Sequence, residues 1–231
     1  MYKESFLMAW ASLIANKLRS LLTMLGIIIG VAAVIALVSI GNGVKQDIED
    51  SISSLGSNLL VVLPGAPRTP GARSSQGSMK SLKISDYEAI AKLEGVKAAS
   101  PMTNGSYVVI YQNKNWTTSV AGVNSNFQDV NNWTMTSGRF FSDKNVQNRE
   151  RVAVVGETVV KNLFTDEDPV GKEIRVKNIP FRVIGVLKSK GNGTMGNDQD
   201  DTVLIPYTTS MERVEGIDYL RRVYVVAKDD E

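Results

Sequence analysis

Every position from Leu21 to Ile40 is uncharged, and only Thr23 and Ser39 carry polar side chains there. Both hydroxyls can bond back to a carbonyl one turn earlier. At ~1.5 Å rise per residue the run predicts a helix about 30 Å long, the hydrocarbon thickness of a bilayer. A helix buried in a soluble core would keep a polar stripe and stop sooner. The reading is a transmembrane helix over 21–42. Before it, Phe6, Trp10, Leu13, Ile14 and Leu18 recur at spacings of three and four. That pattern predicts an amphipathic segment over 1–20, with Trp10 at the headgroups and Lys17 and Arg19 snorkelling. A tail that merely holds positive charge is the plainer alternative. After the span, Val44, Ile48, Ile52 and Leu55 continue the helical spacing, so a stalk helix is expected over 43–56, stopped by Gly56.

From residue 57 to 231 the pattern changes to short apolar runs between turn residues, read as one outer domain. A strand is expected at Asn58–Leu63, followed by a mobile Pro-, Gly- and Ser-rich loop from Pro64 to Ser81. Ser85 and Glu88 read as a capping box opening a helix over Asp86–Leu93. Val96–Ala99 is a short strand limited by Pro101. Ser106–Tyr111 and Trp116–Val123 read as a hairpin around Asn113-Lys114-Asn115, and Asn124–Gly138 as irregular. Arg151–Val155 is a buried-type strand, turned by Gly156 into a helix over Glu157–Phe164. Glu173–Lys177 and Pro180–Leu187 form a further hairpin. Gly191–Asp201 is a loop, Thr202–Pro206 a strand, Thr208–Val214 a short helix and Arg222–Ala227 a last strand. Strand pairs separated by helices define an α+β class, with two subdomains possible.

Charge supplies orientation. The chain holds 26 basic and 24 acidic residues. Lys3, Lys17 and Arg19 outweigh Glu4 before the span, while Lys45, Asp47, Glu49 and Asp50 follow it. Positive charge stays inside, so the N-terminus is expected in the cytoplasm and the outer domain beyond the membrane. A cleaved signal peptide is the rival, but its apolar core would be shorter and no convincing small-x-small site follows Ile40. Beyond the span the two signs balance, which argues against nucleic-acid binding. Cysteine and histidine are absent, so disulfides, thiolate or imidazole metal sites and His-dependent nucleophiles are excluded.

Inside the span, Gly26 and Gly30 form a G-x-x-x-G with Ala33 a turn further on. Such a face lets another helix approach closely, although glycine is common in membrane helices anyway. The other chemical motifs fail on context. Gly191-Asn192-Gly193-Thr194-Met195-Gly196 spells G-x-G-x-x-G, but Asn197-Asp198-Gln199-Asp200-Asp201 follows where a phosphate-binding helix should start. Gly171-Lys172 lacks the upstream glycine and following hydroxyl of a P-loop. Asp198, Asp200 and Asp201 lack EF-hand spacing and read as a solvated acidic loop. Sequons at Asn104, Asn115, Asn132 and Asn192 matter only in a eukaryotic secretory route. Trp116, Trp133 and Tyr111 could mark a binding surface, or simply core positions in strands. No catalytic residues, cofactor or metal site are expected.

Several linked motifs resemble the permease part of MacB-type ABC transporters. They are N-K-L-R-S at Asn16–Ser20, L-G-I-I-I-G-V at Leu25–Val31, G-x-G at Gly41–Gly43 and G-S-N-L-L at Gly56–Leu60. Further on come S-G-R-F-F at Ser137–Phe141, V-A-V-V-G at Val152–Gly156, D-P-V-G-K at Asp168–Lys172 and V-I-G-V at Val183–Val186. The resemblance implies a permease of four membrane helices with a large outer domain between the first two. That domain would have a porter-like part and an inserted β-rich subdomain at about 140–202. Nothing after Ala227 is apolar enough to span a membrane, so the chain is expected to be the N-terminal fragment of a longer permease or a truncated gene.

The implied mechanism is mechanical and implies partners. A separate cytoplasmic ATP-binding subunit would dimerise on ATP and drive efflux through a bacterial inner membrane. A second permease copy, and a periplasmic adaptor or other envelope partner, would complete the assembly. Gly26, Gly30 and Ala33 would be the helix-packing positions. Val44, Ile48, Ile52 and Leu55 would contact the second copy, or pack on their own outer domain. Two alternatives stay open: a lipoprotein-releasing or cell-envelope-regulating ABC relative, and a single-span binding or sensor module.

Overall fold

The computed structural model describes residues 3–5, 8, 16–55, 58–65, 80–165, 167–193 and 196–228, without the side chains of 46–55. The readings at Phe6, Trp10, Leu13, Ile14 and Gly56, and most of the loop expected after Pro64, lie outside the described residues. Two units are present, Met1–Asp50 and Ser51–Glu231.

The first unit is dominated by helix α1, Lys17–Leu55, unbroken over 39 residues. That length corresponds to about 58 Å. Neither Gly41 nor Gly43 interrupts it. From Lys17 to Lys45 it is long and apolar enough to cross a membrane, and none of that stretch is buried within the protein. Leu22, Ile28, Ile35 and Leu37 are all exposed. A helix of a soluble core would bury its apolar positions, and this stretch buries none of them. Thr23 makes the expected back-bond, its Oγ1 donating to the Arg19 carbonyl at 2.8 Å.

The second unit opens with β1 (Leu59–Val62), α2 (Ile84–Ala91), β2 (Val96–Tyr111), β3 (Lys114–Val123), α3 (Phe127–Val130) and β4 (Met135–Gly138). It continues with α4 (Asp143–Gln147), β5 (Val152–Val155), α5 (Glu157–Leu163), β6 (Glu173–Val176) and β7 (Ile179–Leu187). It ends with β8 (Thr202–Pro206), α6 (Tyr207–Thr209) running into a π-helical turn at Ser210–Glu215, and β9 (Arg222–Ala227). The strands form a single path, β1-β9-β2-β3-β8-β5-β7-β4, with β6 attached to β2 and β7. One N-terminal apolar helix followed by a mixed α and β domain is the class expected from sequence.

The central strands explain why their sequences read as continuous apolar runs. In β5, Ala153 and Val155 enter one core while Val152 and Val154 enter another. In β8, Val203 and Ile205 face the first and Leu204 the second. Alternate residues point to opposite faces of a strand, so a sheet covered on both sides needs apolar residues at every position. Helix α5 covers the first face with Val159 and Leu163; Phe127, Trp133, Phe141 and Val146 cover the second. Both cores also take side chains from β2 or β3, so residues 140–202 share their interior with the strands that precede them. A third core lies at β9, where Ile84, Tyr87 and Ile90 of α2 pack against Ala99, Val223 and Val225.

Five details differ from the sequence expectation, each for a local reason. Strand β2 runs through Pro101 without a break. Among the described residues, 96–102 are paired with β9 alone, so no second ladder there needs the missing N–H. The β2–β3 turn is Gln112-Asn113, with Gln112 at φ 50° and Tyr111 opposite Lys114. Helix α2 starts at Ile84, because the Asp86 carboxylate accepts the Lys83 N–H at 2.7 Å. The segment read as irregular contains α3 and β4. The helix expected at Thr208–Val214 is instead α6 plus the π-turn, closed by Gly216 in the left-handed region.

The motifs at Ser137–Phe141 and Val183–Val186 meet back to back. Gly138 adopts φ +70°, and a Cβ there would stand 2.3 Å from the Ile184 carbonyl. A Cβ on Gly185 would stand 2.6 Å from the Arg139 carbonyl. Gly171 shares a positive φ, +87°, but has open space around it. Gly138→Ala is therefore expected to cost about 2–4 kcal/mol and Gly171→Ala about 1 kcal/mol. Urea unfolding followed by tryptophan fluorescence measures both; equal losses would remove close approach as the cause.

Candidate functional site

The helix-packing candidates are brought onto one face by α1. At about 100° per residue, Gly30 lies about 40° from Gly26, and Ala33 about 20° to the other side. Val44 returns to the Gly26 direction and position 48 to that of Gly30. A Cβ at Gly26 or Gly30 would meet nothing within 4 Å. The glycines thus leave a groove that the chain's own packing does not require. Val44 is exposed on the same side. Ile48, Ile52 and Leu55 lie on the continuing helix, and their side chains are outside the described residues.

The aromatic candidates do not form a surface. Tyr111 and Trp133 are buried, in different cores. Trp116 packs against the first core and donates its Nε1–H to Asp201 at 2.8 Å. Lys190 lies over the Trp133 ring at 4.7 Å and donates to the Asn131 carbonyl. Burial pushes the Lys190 ammonium below the usual lysine range.

The acidic loop corrects its sequence reading. Asp200 is buried rather than solvated, and its carboxylate accepts the N–H groups of Lys190 at 2.8 Å and Gly191 at 3.0 Å. It also accepts from the Ser189 hydroxyl. Asp200 therefore anchors the loop after β7. The glycine-rich stretch closes on itself, with Gly193 N–H donating to the Asn197 carbonyl at 2.8 Å. Among the described residues no cluster of acidic side chains could hold a metal ion.

One polar cluster has no signal in the sequence. Thr103 Oγ1 and Ser210 Oγ stand 2.8 Å apart in the interior, and Ser210 donates to Glu215 at 3.2 Å. The Glu215 side chain is only 2% exposed, with Arg221 at 3.6 Å. Thr103 and Ser210 are 107 residues apart, so no local spacing pairs them. The cluster fastens the π-turn to β2.

The D-P-V-G-K motif is a turn held at both ends. Asp168 Oδ1 accepts the Val170 N–H at 3.0 Å, and Gly171 N–H donates to the Val183 carbonyl at 2.8 Å. Glu167 accepts from the Tyr111 hydroxyl at 2.9 Å and pairs with Lys172 at 3.3 Å. The Tyr111 hydrogen bond, followed by those from Lys172, holds the Glu167 carboxyl below its ordinary 4.5. A carboxylate depressed in the folded state stabilises above its unfolded value, and the contribution is lost as pH falls through the folded one. Glu167→Gln is therefore expected to lower stability modestly at neutral pH and to leave it unchanged at strongly acid pH, so that the variant's acid limb below pH 4.5 is flatter and the two profiles converge. Thermal melts of both proteins from neutral pH downward test this, and parallel acid limbs would refute it.

Comparison with known proteins places this architecture. The model of the MacB-like periplasmic core domain matches residues 20–231. The macrolide export ATP-binding/permease protein MacB of Rhodospirillum rubrum is 44% identical over 230 residues, covering 99% of this chain and 35% of that protein. That of Chlorobium luteolum is 40% identical over 224 residues, covering 96% of this chain and 34% of the relative. The chain therefore spans about a third of the length of the curated relatives it matches. The crystal structure of the periplasmic region of MacB from Actinobacillus actinomycetemcomitans superposes with a TM-score of 0.66. It is 28% identical and covers 78% of this chain and 79% of that one. The extracellular domain of the ABC-type transporter YknZ, at 20% identity, TM-score 0.62 and coverage of 74% and 84%, shares the fold. The chain belongs to the family of MacB-like periplasmic core domains.

Proposed function

We propose that this chain forms the first membrane helix and outer domain of a permease in a MacB-like ABC exporter. Its task there is to carry motion between the cytoplasmic side, where ATP is hydrolysed, and the extracytoplasmic domain. The observation that carries the reading is the unbroken course of α1 from Lys17 to Leu55, directly preceding the domain that defines the family. A continuous helix is stiff along its axis, so displacement at one end is delivered to the other. The relatives' names join ATP binding and permease in one protein, and an ATP-binding partner for this segment is proposed on that basis.

The helix-packing face fits pairing with a second copy. Gly26, Gly30 and Ala33 leave room for a partner backbone, and Val44 extends the same face toward the stalk. Close approach replaces lipid contacts by tighter helix–helix contacts, the main source of association in a bilayer. The remaining stalk positions Ile48, Ile52 and Leu55 are proposed to lengthen this seam.

Absence of cysteine makes both ideas testable without background labelling. Ser5→Cys is expected to be shielded from an impermeant thiol reagent in intact cells, and Thr117→Cys to react. The reverse pattern would overturn the topology. With Ala33→Cys, oxidation in membranes is expected to give a cross-linked dimer, and adding Gly30→Leu to cut the yield about fivefold. An undiminished yield would reject the glycine face.

A further inference from the structure

A cleft of about 280 Å³ opens beside β5 and β7 in the outer domain. Four of the sequence motifs contribute to its walls: Arg139, Val152, the Val170-Gly171 turn, and Val183-Ile184. The close glycine approach and the Asp168 turn account for the backbone of these motifs, but not for the Arg139 side chain. Arg182 and Glu150 also line the cleft. Neither guanidinium has a hydrogen-bond or ion-pair partner among the described residues. Glu150 is occupied otherwise, accepting from Asn145 at 2.7 Å and from Asn148 at 3.4 Å.

The scaffold beneath the two arginines is rigid. Arg139 N–H donates to the Ile184 carbonyl at 3.0 Å, and Arg182 N–H to the Arg151 carbonyl at 2.9 Å. Both side chains therefore start from backbone tied into the β4–β7 and β5–β7 pairings. A guanidinium presents a planar fork of donors that matches a carboxylate. With Glu150 alongside, the two arginines leave one net positive charge, which suits a monoanion and disfavours a dianion. Valine and isoleucine supply an apolar surface, and the volume sits near the low end of the ~300–1,000 Å³ usual for ligand sites.

We propose that this cleft binds a small monocarboxylate bearing a branched apolar group. Its carboxylate is held by Arg139 and Arg182, and its apolar part lies against Val152, Val170 and Ile184. The site is independent of the transport reading above, since it belongs to the outer domain alone.

Titration calorimetry of the full chain in lipid nanodiscs at low salt tests this with N-acetyl-leucine, N-acetyl-leucine amide and inorganic phosphate as probes. N-acetyl-leucine is expected to bind, and the amide about tenfold more weakly. Arg182→Gln, or Arg139→Gln, is expected to weaken N-acetyl-leucine about tenfold, and Arg175→Gln, exposed on β6 outside the cleft, to leave it unchanged. No heat at about 10 mM N-acetyl-leucine would overturn the proposal. So would equal binding of the amide, tighter binding of phosphate, or indifference to both cleft variants.

Discussion

The outer domain depends on the pairing of one strand, β2, with different partners along its length. Its 16 residues lie beside β9 over the first half and beside β3 over the second. The change falls between Met102 and Thr103, and there the chain brings in the π-turn. A Cβ at Gly122, opposite Thr103, would stand 2.4 Å from Ser210 Cβ and 2.5 Å from Thr103 Oγ1. Only glycine leaves space for the buried hydroxyl pair. Strand β9 in turn holds β1, so the first and last strands of the domain are joined at Leu59 and Val226. The part of the domain nearest α1 in sequence is thereby closed by residues from its far end.

Around that spine the central strands are covered on both faces, and this sets the energetics. Removal of apolar surface from water is the dominant favourable contribution, about 25 cal/mol per Å². Phe141 and Phe181 are the largest fully buried side chains. The two buried carboxylates enter the interior where donors meet them. Asp200 takes two backbone N–H groups and a hydroxyl, and Glu215 takes Ser210 and Arg221. A buried carboxylate without such partners would be strongly destabilising. These two residues therefore tie down the β7–β8 loop, which has little apolar surface of its own, and the π-turn, which Met211 and Val214 also anchor.

The membrane helix follows the opposite rule. From Lys17 to Lys45 its apolar side chains are not buried, and its small residues leave a groove rather than fill one. A helix with this surface suits an apolar surrounding such as the interior of a bilayer. The outer domain completes its own core, whereas α1 completes nothing alone.

The sequence alone determined whatever rests on residues close together in the chain. The span at Leu21–Ile40, strands at Thr202–Pro206 and Arg222–Ala227, the β5–Gly156–α5 corner and the family motifs were all legible because spacing and turn residues are local properties. The positions of Gly26, Gly30 and Ala33 on one helix face follow from the same periodicity. Tertiary structure decided what distant residues do to each other. Pro101 is tolerated inside a strand because, among the described residues, nothing pairs on its second edge. Asp200 is buried because Ser189, Lys190 and Gly191, at the opposite end of the loop, converge on its carboxylate. Thr103, Gly122 and Ser210 interlock across 107 residues. Arg139 and Arg182 share a cleft because β4 and β5 flank β7. Periodicity reports which face of an element is apolar, but the choice of neighbour for that face is a competition among all the others, settled only when the whole domain packs.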